Sequence, residues 1–141
     1  MNPVEVVRAF WERMQERDWA GVRATLAPHA VAVWPETNER FAGADAIVRV
    51  NAEYPEGWEI RILRLVESGD TVVAEVEVPQ EGVGVFRVAA FMEVADGLTV
   101  RSMEYWVQVG GAEPPAWREG FATRVAEGGL EAALGAERRS A

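Results

Sequence analysis

The sequence predicts an α+β domain in which helices come first and long strands follow. Two observations carry this prediction. Apolar residues recur at helical spacing up to Tyr54, and at two-residue spacing from Trp58 onward. The chain has 141 residues, 49% of them hydrophobic, which is enough for one core and too little for two. Helices segregated to one side of an antiparallel sheet satisfy that order.

The first helix starts at Pro3. Asn2 can cap it, and Glu5 completes a capping-box spacing. Val4, Val7, Phe10, Trp11 and Met14 form its apolar face. Asp18 is placed to cap a short second helix, Trp19 to Leu26, which Pro28 ends. Ala30 to Trp34 reads as a strand and Pro35 to Arg40 as a polar turn. A third helix follows Gly43, with Ile47, Val50 and Tyr54 on one side and Asp45 in its first turn. Pro55 and Gly57 close it.

Four strands follow in a meander: Trp58 to Glu67, Thr71 to Val78, Val85 to Val94 and Leu98 to Val109. Phe86, Val88, Ala90, Met92 and Val94 share one face of the third, and Asp96-Gly97 is a strong hairpin signal before the fourth. A short amphipathic helix is expected from Ala116 to Ala126, with Trp117, Phe121 and Val125 on one side. Residues 1–127 are expected to form the single domain, and 128–141 a frayed or partly helical tail. A long twisted sheet curling round helices leaves a concave side, the natural place for a ligand.

Composition removes several functions. The formal net charge is −9 and the pI about 4.7, so no nucleic acid partner is expected. There is no cysteine and a single histidine, which excludes disulfides, thiolate chemistry and multi-histidine metal centres. We expect no metal and no cofactor. No apolar run reaches the roughly 18 residues of a membrane span, and the opening Met1-Asn2-Pro3-Val4-Glu5 lacks a signal peptide's basic region. A cytoplasmic protein is therefore expected. All 14 basic residues are arginine, which with abundant Ala, Gly and Val marks a GC-rich bacterial genome.

Three stretches, "VEVVRAFWERMQERDWAGVRATLAPHAVAVWPE", "FAGADAIVRV" and "VADGLTVRSMEYWVQ", resemble in order and spacing the nuclear transport factor 2-like superfamily. That superfamily includes SnoaL-like polyketide cyclases and ketosteroid isomerases. The resemblance covers about residues 3 to 109 and implies a cone-shaped fold, with N-terminal helices packed in a strongly curved antiparallel sheet. It also implies three isomerase roles, and this chain departs from each. Trp34, before Pro35, stands where the general base is expected. Phe10, eight residues before Asp18, stands where an oxyanion tyrosine is expected. Ala90 stands where a protonated carboxyl is expected. Isomerase chemistry of that type is not expected, and fold alone does not assign another.

Glu104 is the first candidate for chemistry. Ser102, Glu104 and Trp106 alternate onto one face of the last strand. A carboxyl among aromatic rings is desolvated, which raises its pKa and suits acid–base work. The resemblance turns this face toward the cavity. The more apolar Met103, Tyr105, Val107 and Val109 argue that the other face is the core. Hairpin length decides. A three-residue loop, Ala95 to Gly97, pairs Val94 with Leu98 and puts Glu104 on the face of Val88 and Met92. A two-residue loop, Asp96-Gly97, puts Tyr105 there instead. We favour the three-residue loop. The competing role for Glu104 is a residue that faces solvent or a dimer partner, or that merely pairs with an arginine.

His29, the only side chain that titrates near neutrality without perturbation, is a second candidate, and a His29–Glu104 dyad is conceivable. Its plainer role is a solvent-exposed or helix-end histidine. Phe10, Trp34, Tyr54, Trp58, Ala90, Met92, Ser102 and Trp106 are the candidate pocket residues, with Trp58 as a gate after Pro55-Glu56-Gly57. Six tryptophans suit stacking on a flat apolar ligand, although each one can equally be core packing. Arg64, Arg87 and Arg101 can pair across the sheet with Glu59, Glu75, Glu77 or Glu93, and such a face is a common homodimer surface.

Three functions remain. The first is a pocket protein that binds a small apolar or aromatic ligand without the isomerase set. The second is a cofactor-independent isomerase, cyclase, dehydratase or hydrolase with Glu104 as acid/base. The third is an association module with a filled interior.

Overall fold

Asn2 and Glu5 close a reciprocal capping box, each backbone N–H donating to the other's side chain at 2.9 Å, and α1 (Pro3–Gln15) follows. Its apolar face (Val6, Val7, Phe10, Trp11 and Met14) is buried. Asp18 caps α2 (Trp19–Ala24) by accepting the Gly21 N–H at 2.9 Å. The remaining long elements are β1 (Leu26–Trp34), β2 (Glu39–Ala42), α3 (Ala44–Ala52), β3 (Arg61–Ser68), β4 (Thr71–Gln80), β5 (Gly84–Ala95) and β6 (Leu98–Gln108). This computed structural model describes residues 1–126 and 129–135. The chain divides into two units, Met1–Gly111 and Ala112–Ala141.

In the first unit a six-stranded sheet has the order β2-β1-β6-β5-β4-β3. β1 lies parallel to β6 and every other pair is antiparallel, so the sheet is mixed rather than wholly antiparallel. α1 touches β3, β4, β5 and β6 in turn, while α3 packs on β1 and β2. The sheet therefore wraps the helices. The inner residues of β4 and β5 (Val72, Ala74, Val76, Val88, Ala90 and Met92) are fully buried beneath them. Burial alternates along β4 without a break, as a half-buried strand requires.

Several expected boundaries shift for identifiable reasons. α2 stops at Ala24, and β1 begins at Leu26 instead of Ala30. Pro28 lies inside β1, where the pairing with β6 slips between Leu26 and Val31. The polar turn ends at Asn38, in a left-handed conformation (φ 58°), so Glu39 starts an extra edge strand against β1. Trp58 precedes β3 and joins the sheet only as a bridge to Gln80.

The β5–β6 hairpin corrects the expected loop yet keeps its consequence. Ala95 pairs with Leu98, so the turn is the two-residue Asp96-Gly97, both with positive φ (52° and 76°). That register alone would turn Tyr105 inward. A bulge follows, however: Val94 pairs with Thr99 and Glu93 with Arg101. Val100 is the extra residue, and it restores the parity. Ala90 then faces Glu104, and Met92 faces Ser102.

In the second unit the expected helix from Ala116 to Ala126 is one 3-10 turn, Ala116–Arg118. Gly120, at φ 88°, cannot continue a helix cheaply. Trp117 and Phe121 still meet edge to face at 6.2 Å. Of the expected tail, Leu130–Ala133 form one helical turn, and residues 128 and 136–141 lie outside the described residues.

Gly43 opens α3 at φ 96° and ψ 149°, a region that only glycine enters without strain. A Cβ there would meet only the Pro28 carbonyl oxygen, at 3.7 Å. Gly43→Ala should therefore cost backbone energy alone, about 1–3 kcal/mol, read as a lower urea midpoint with unchanged m.

Candidate functional site

The site is built where β1 and β6 run side by side. Alternation along β1 puts Ala32 on the inner face opposite Ser102, and Trp34 follows it two residues on. Along β6 the same alternation puts Ser102, Glu104 and Trp106 inward. Four tightly connected groups result. The Glu104 carboxyl accepts the Trp34 indole N–H at 3.2 Å and the Trp106 indole N–H at 3.3 Å on Oε1, and the Ser102 hydroxyl at 2.8 Å on Oε2. The two indole rings lie 5.9 Å apart at 55° to one another.

Glu104 is 5% exposed. Burial pushes its pKa above the usual carboxylate range, and the three donors from Ser102, Trp106 and Trp34 oppose that shift. Among the described residues no arginine bridges to it. The net direction is upward because none of the three donors brings a full positive charge. The same geometry suits the neutral acid: Oε1 accepts two indole N–H groups while Oε2–H donates to the Ser102 hydroxyl.

Beyond the two rings lies a cavity of about 300 Å³. Trp34, Trp106, Trp58, Tyr54 and Phe86 give it aromatic walls, and Val78 and Met14 lie at its apolar side. Trp58 is held from outside. The Arg17 guanidinium stacks 3.4 Å above its ring, donates to its carbonyl oxygen at 2.6 Å and pairs with Glu56 at 2.8 Å. Gln80, bridged to Trp58, donates to the Pro55 carbonyl at 3.1 Å and ties down the same segment.

Four of the candidate pocket residues, Trp34, Tyr54, Trp58 and Trp106, line this cavity. Phe10, Ala90, Met92 and Ser102 do not; they are buried in the layer behind it. Glu104 also stands behind the walls, bonded to two residues that line them. His29 is corrected as a partner for Glu104. It is exposed on the opposite face of β1, beside Val31, Val33 and Arg101. Phe86 was legible as an inward position from the alternation of its strand; Gln80 was not, because the expected strand ends at Val78. Glu36, Thr37 and Glu39, at the cavity's polar edge, were not, because a polar turn carries no periodicity.

The opposite face of the sheet carries ion pairs and exposed apolar side chains together. Arg64 pairs with Glu75 at 2.8 Å, Arg87 with Glu77 at 3.0 Å and Arg101 with Glu93 at 2.9 Å. Phe91 and Tyr105 meet edge to face at 5.9 Å, and Met103 and Val107 are exposed beside them. No described helix is long and apolar enough to cross a membrane. No described cluster of three or more His, Asp or Glu side chains could hold a metal.

The SnoaL-like domain model matches residues 7–102. Among solved structures, a candidate ketosteroid isomerase from Kribbella flavida is 30% identical, with a TM-score of 0.78, over 87% of this chain and 89% of that one. An NTF2-like protein of unknown function from Burkholderia xenovorans is 21% identical (TM-score 0.66), over 86% of this chain and 93% of that one. A candidate SnoaL-like polyketide cyclase from Jannaschia sp. is 19% identical (TM-score 0.65), over 79% of this chain and 93% of that one. No functionally curated protein matches the sequence.

The raised pKa of Glu104 has a stability consequence. Between the ordinary carboxylate range and the raised value the folded state holds a proton that the unfolded state has released, so stability falls as pH rises through that window. Glu104→Gln presents the neutral acid's hydrogen-bonding pattern and lacks the titration. Thermal melts from pH 4 to 8 should show the variant gaining on the wild type as pH rises. Parallel curves for the two proteins would contradict the assignment.

Proposed function

The chain belongs to the SnoaL-like domain family, and we propose that it serves as a pocket protein, binding a small apolar or aromatic ligand in the cavity among Trp34, Tyr54, Trp58, Phe86 and Trp106. The single observation that carries this reading is the aromatic lining of a cavity that the core leaves open. The three positions matched to isomerase roles hold Phe10, Trp34 and Ala90, none of which can take or give a proton at carbon. Phe10 is 2% exposed and stacks edge to face on Trp11 at 5.1 Å, as a core residue does. An open cavity also disfavours an association module with a filled interior.

A second reading draws on one further observation. Glu104 is a buried carboxyl whose pKa is raised, the state a general acid/base needs. Under it the protein is a cofactor-independent isomerase, cyclase, dehydratase or hydrolase. In this geometry Glu104 does not line the ligand space, whereas Trp34 and Trp106, bonded to it, do, so side chains must move before a proton can pass directly. Binding requires no such movement, which is why it is the preferred reading.

Homodimerisation is part of the proposal. The outer sheet face combines exposed Phe91, Met103, Tyr105 and Val107 with charges already neutralised within the face. A second copy could cover that surface at little desolvation cost. Localisation in a bacterial cytoplasm is an extension of the same reading.

Naphthalene titrated against intrinsic tryptophan fluorescence should quench saturably in the wild type. Val78→Phe, which fills the cavity, should abolish quenching while the protein still melts cooperatively, at a cost of about 1–3 kcal/mol. Quenching that survives the filled cavity would place the ligand elsewhere. For the dimer, Tyr105→Glu should convert a two-chain species to a one-chain species in light scattering. An unchanged mass would remove this face as the interface.

A further inference from the structure

We propose that the cavity selects an organic cation, a quaternary or protonated tertiary amine on an apolar body, with the ammonium seated in the corner between Trp34 and Trp106. This rests on the pocket reading and names its ligand class.

Four observations converge on it. Among the described residues, the only charged side chains lining the cavity are carboxylates, Glu36 and Glu39, and no arginine or histidine lines it. Glu39 accepts the Thr37 hydroxyl at 2.7 Å and so has acceptor capacity left. The walls are aromatic, and a ring face attracts a cation within about 6 Å, with indole the strongest. The Trp34 and Trp106 rings meet at 55° and so form two sides of a corner.

The fourth observation distinguishes this corner from any aromatic wall. Both indole N–H groups point to one carboxyl oxygen of Glu104. When that carboxyl ionises, its negative charge lies at the N–H edge of both rings, and the N–H···O⁻ bonds enrich the ring faces. A cation on the cavity side then has a counter-charge that never needs to enter the cavity. Trp58 is less suited, because the Arg17 guanidinium already covers its ring.

The surroundings of Glu104 leave it as the titrating partner. On β6 it meets Ser102 and Trp106, on β1 Trp34, and on β5 it faces Ala90, none of them charged. The buried face of α1 is wholly apolar, and α3 leads to Asn51 and Tyr54 at the cavity. Among the described residues, the other charges lining the ligand side are those of Glu36 and Glu39. A bound cation must therefore favour the ionised carboxyl, and by linkage an ionised carboxyl must favour the cation.

Benzyltrimethylammonium and its uncharged carbon isostere, neopentylbenzene, separate the possibilities when titrated against tryptophan fluorescence at pH 5 and pH 8. The cation should bind about tenfold or more tightly than the isostere at pH 8, and more tightly at pH 8 than at pH 5. Glu104→Gln should flatten that pH difference, and the Glu36→Gln, Glu39→Gln pair should weaken the cation and not the isostere. Isostere affinity equal to or above that of the cation would overturn this inference and leave the pocket reading standing. Binding of neither probe, nor of naphthalene, would overturn both.

Discussion

A carboxyl removed from water must be given donors, and at this end of the molecule the donors are two tryptophans. Among the described residues no arginine neutralises Glu104, and its desolvation is offset by the Trp34 and Trp106 indoles and the Ser102 hydroxyl. That requirement fixes the rings, and the rings form the wall. Strand pairing, side-chain burial and cavity shape are therefore one problem here. A carboxyl on β6 selects the tilt of aromatic surfaces on two adjacent strands, and the ligand space takes its shape from them.

The two faces of the sheet divide the work. The inner face is nearly uniform in chemistry, with small and branched apolar residues under α1 and one satisfied acid where the helices no longer cover it. The outer face carries its polarity as paired charges. Exposed pairs of this kind add little stability one by one. Their effect is to leave the surface nearly neutral while Phe91 and Tyr105 stand above it. The acidity of the whole chain is thus concentrated away from this face.

Most of the architecture was legible in the chain because it depends on local signals. The capping box at Asn2 and Glu5, the Asp18 cap, and the alternation of β4 each describe themselves within a few residues. The inward face of Glu104 was reached through a wrong loop length: a two-residue turn and a bulge at Val100 sum to the same parity as the expected three-residue loop. A bulge carries no composition of its own, so nothing local announces it. The parallel pairing of β1 with β6 and the edge strand after Asn38 are set by long-range contacts. The side of the sheet that His29 takes was not legible, for a related reason. Its chemistry was plain, but which side of the sheet it occupies depends on the slip near Pro28.

The extra residue at Val100 also limits how this lineage can change. Substitutions along β6 leave the parity untouched, so Ser102, Glu104 and Trp106 can drift through many chemistries while still pointing the same way. Loss or gain of one codon between Gly97 and Arg101 would exchange inside for outside along the rest of the strand, carrying an acid to the surface and a tyrosine to the interior. Evolution can therefore retune this hollow by replacement far more readily than by altering length.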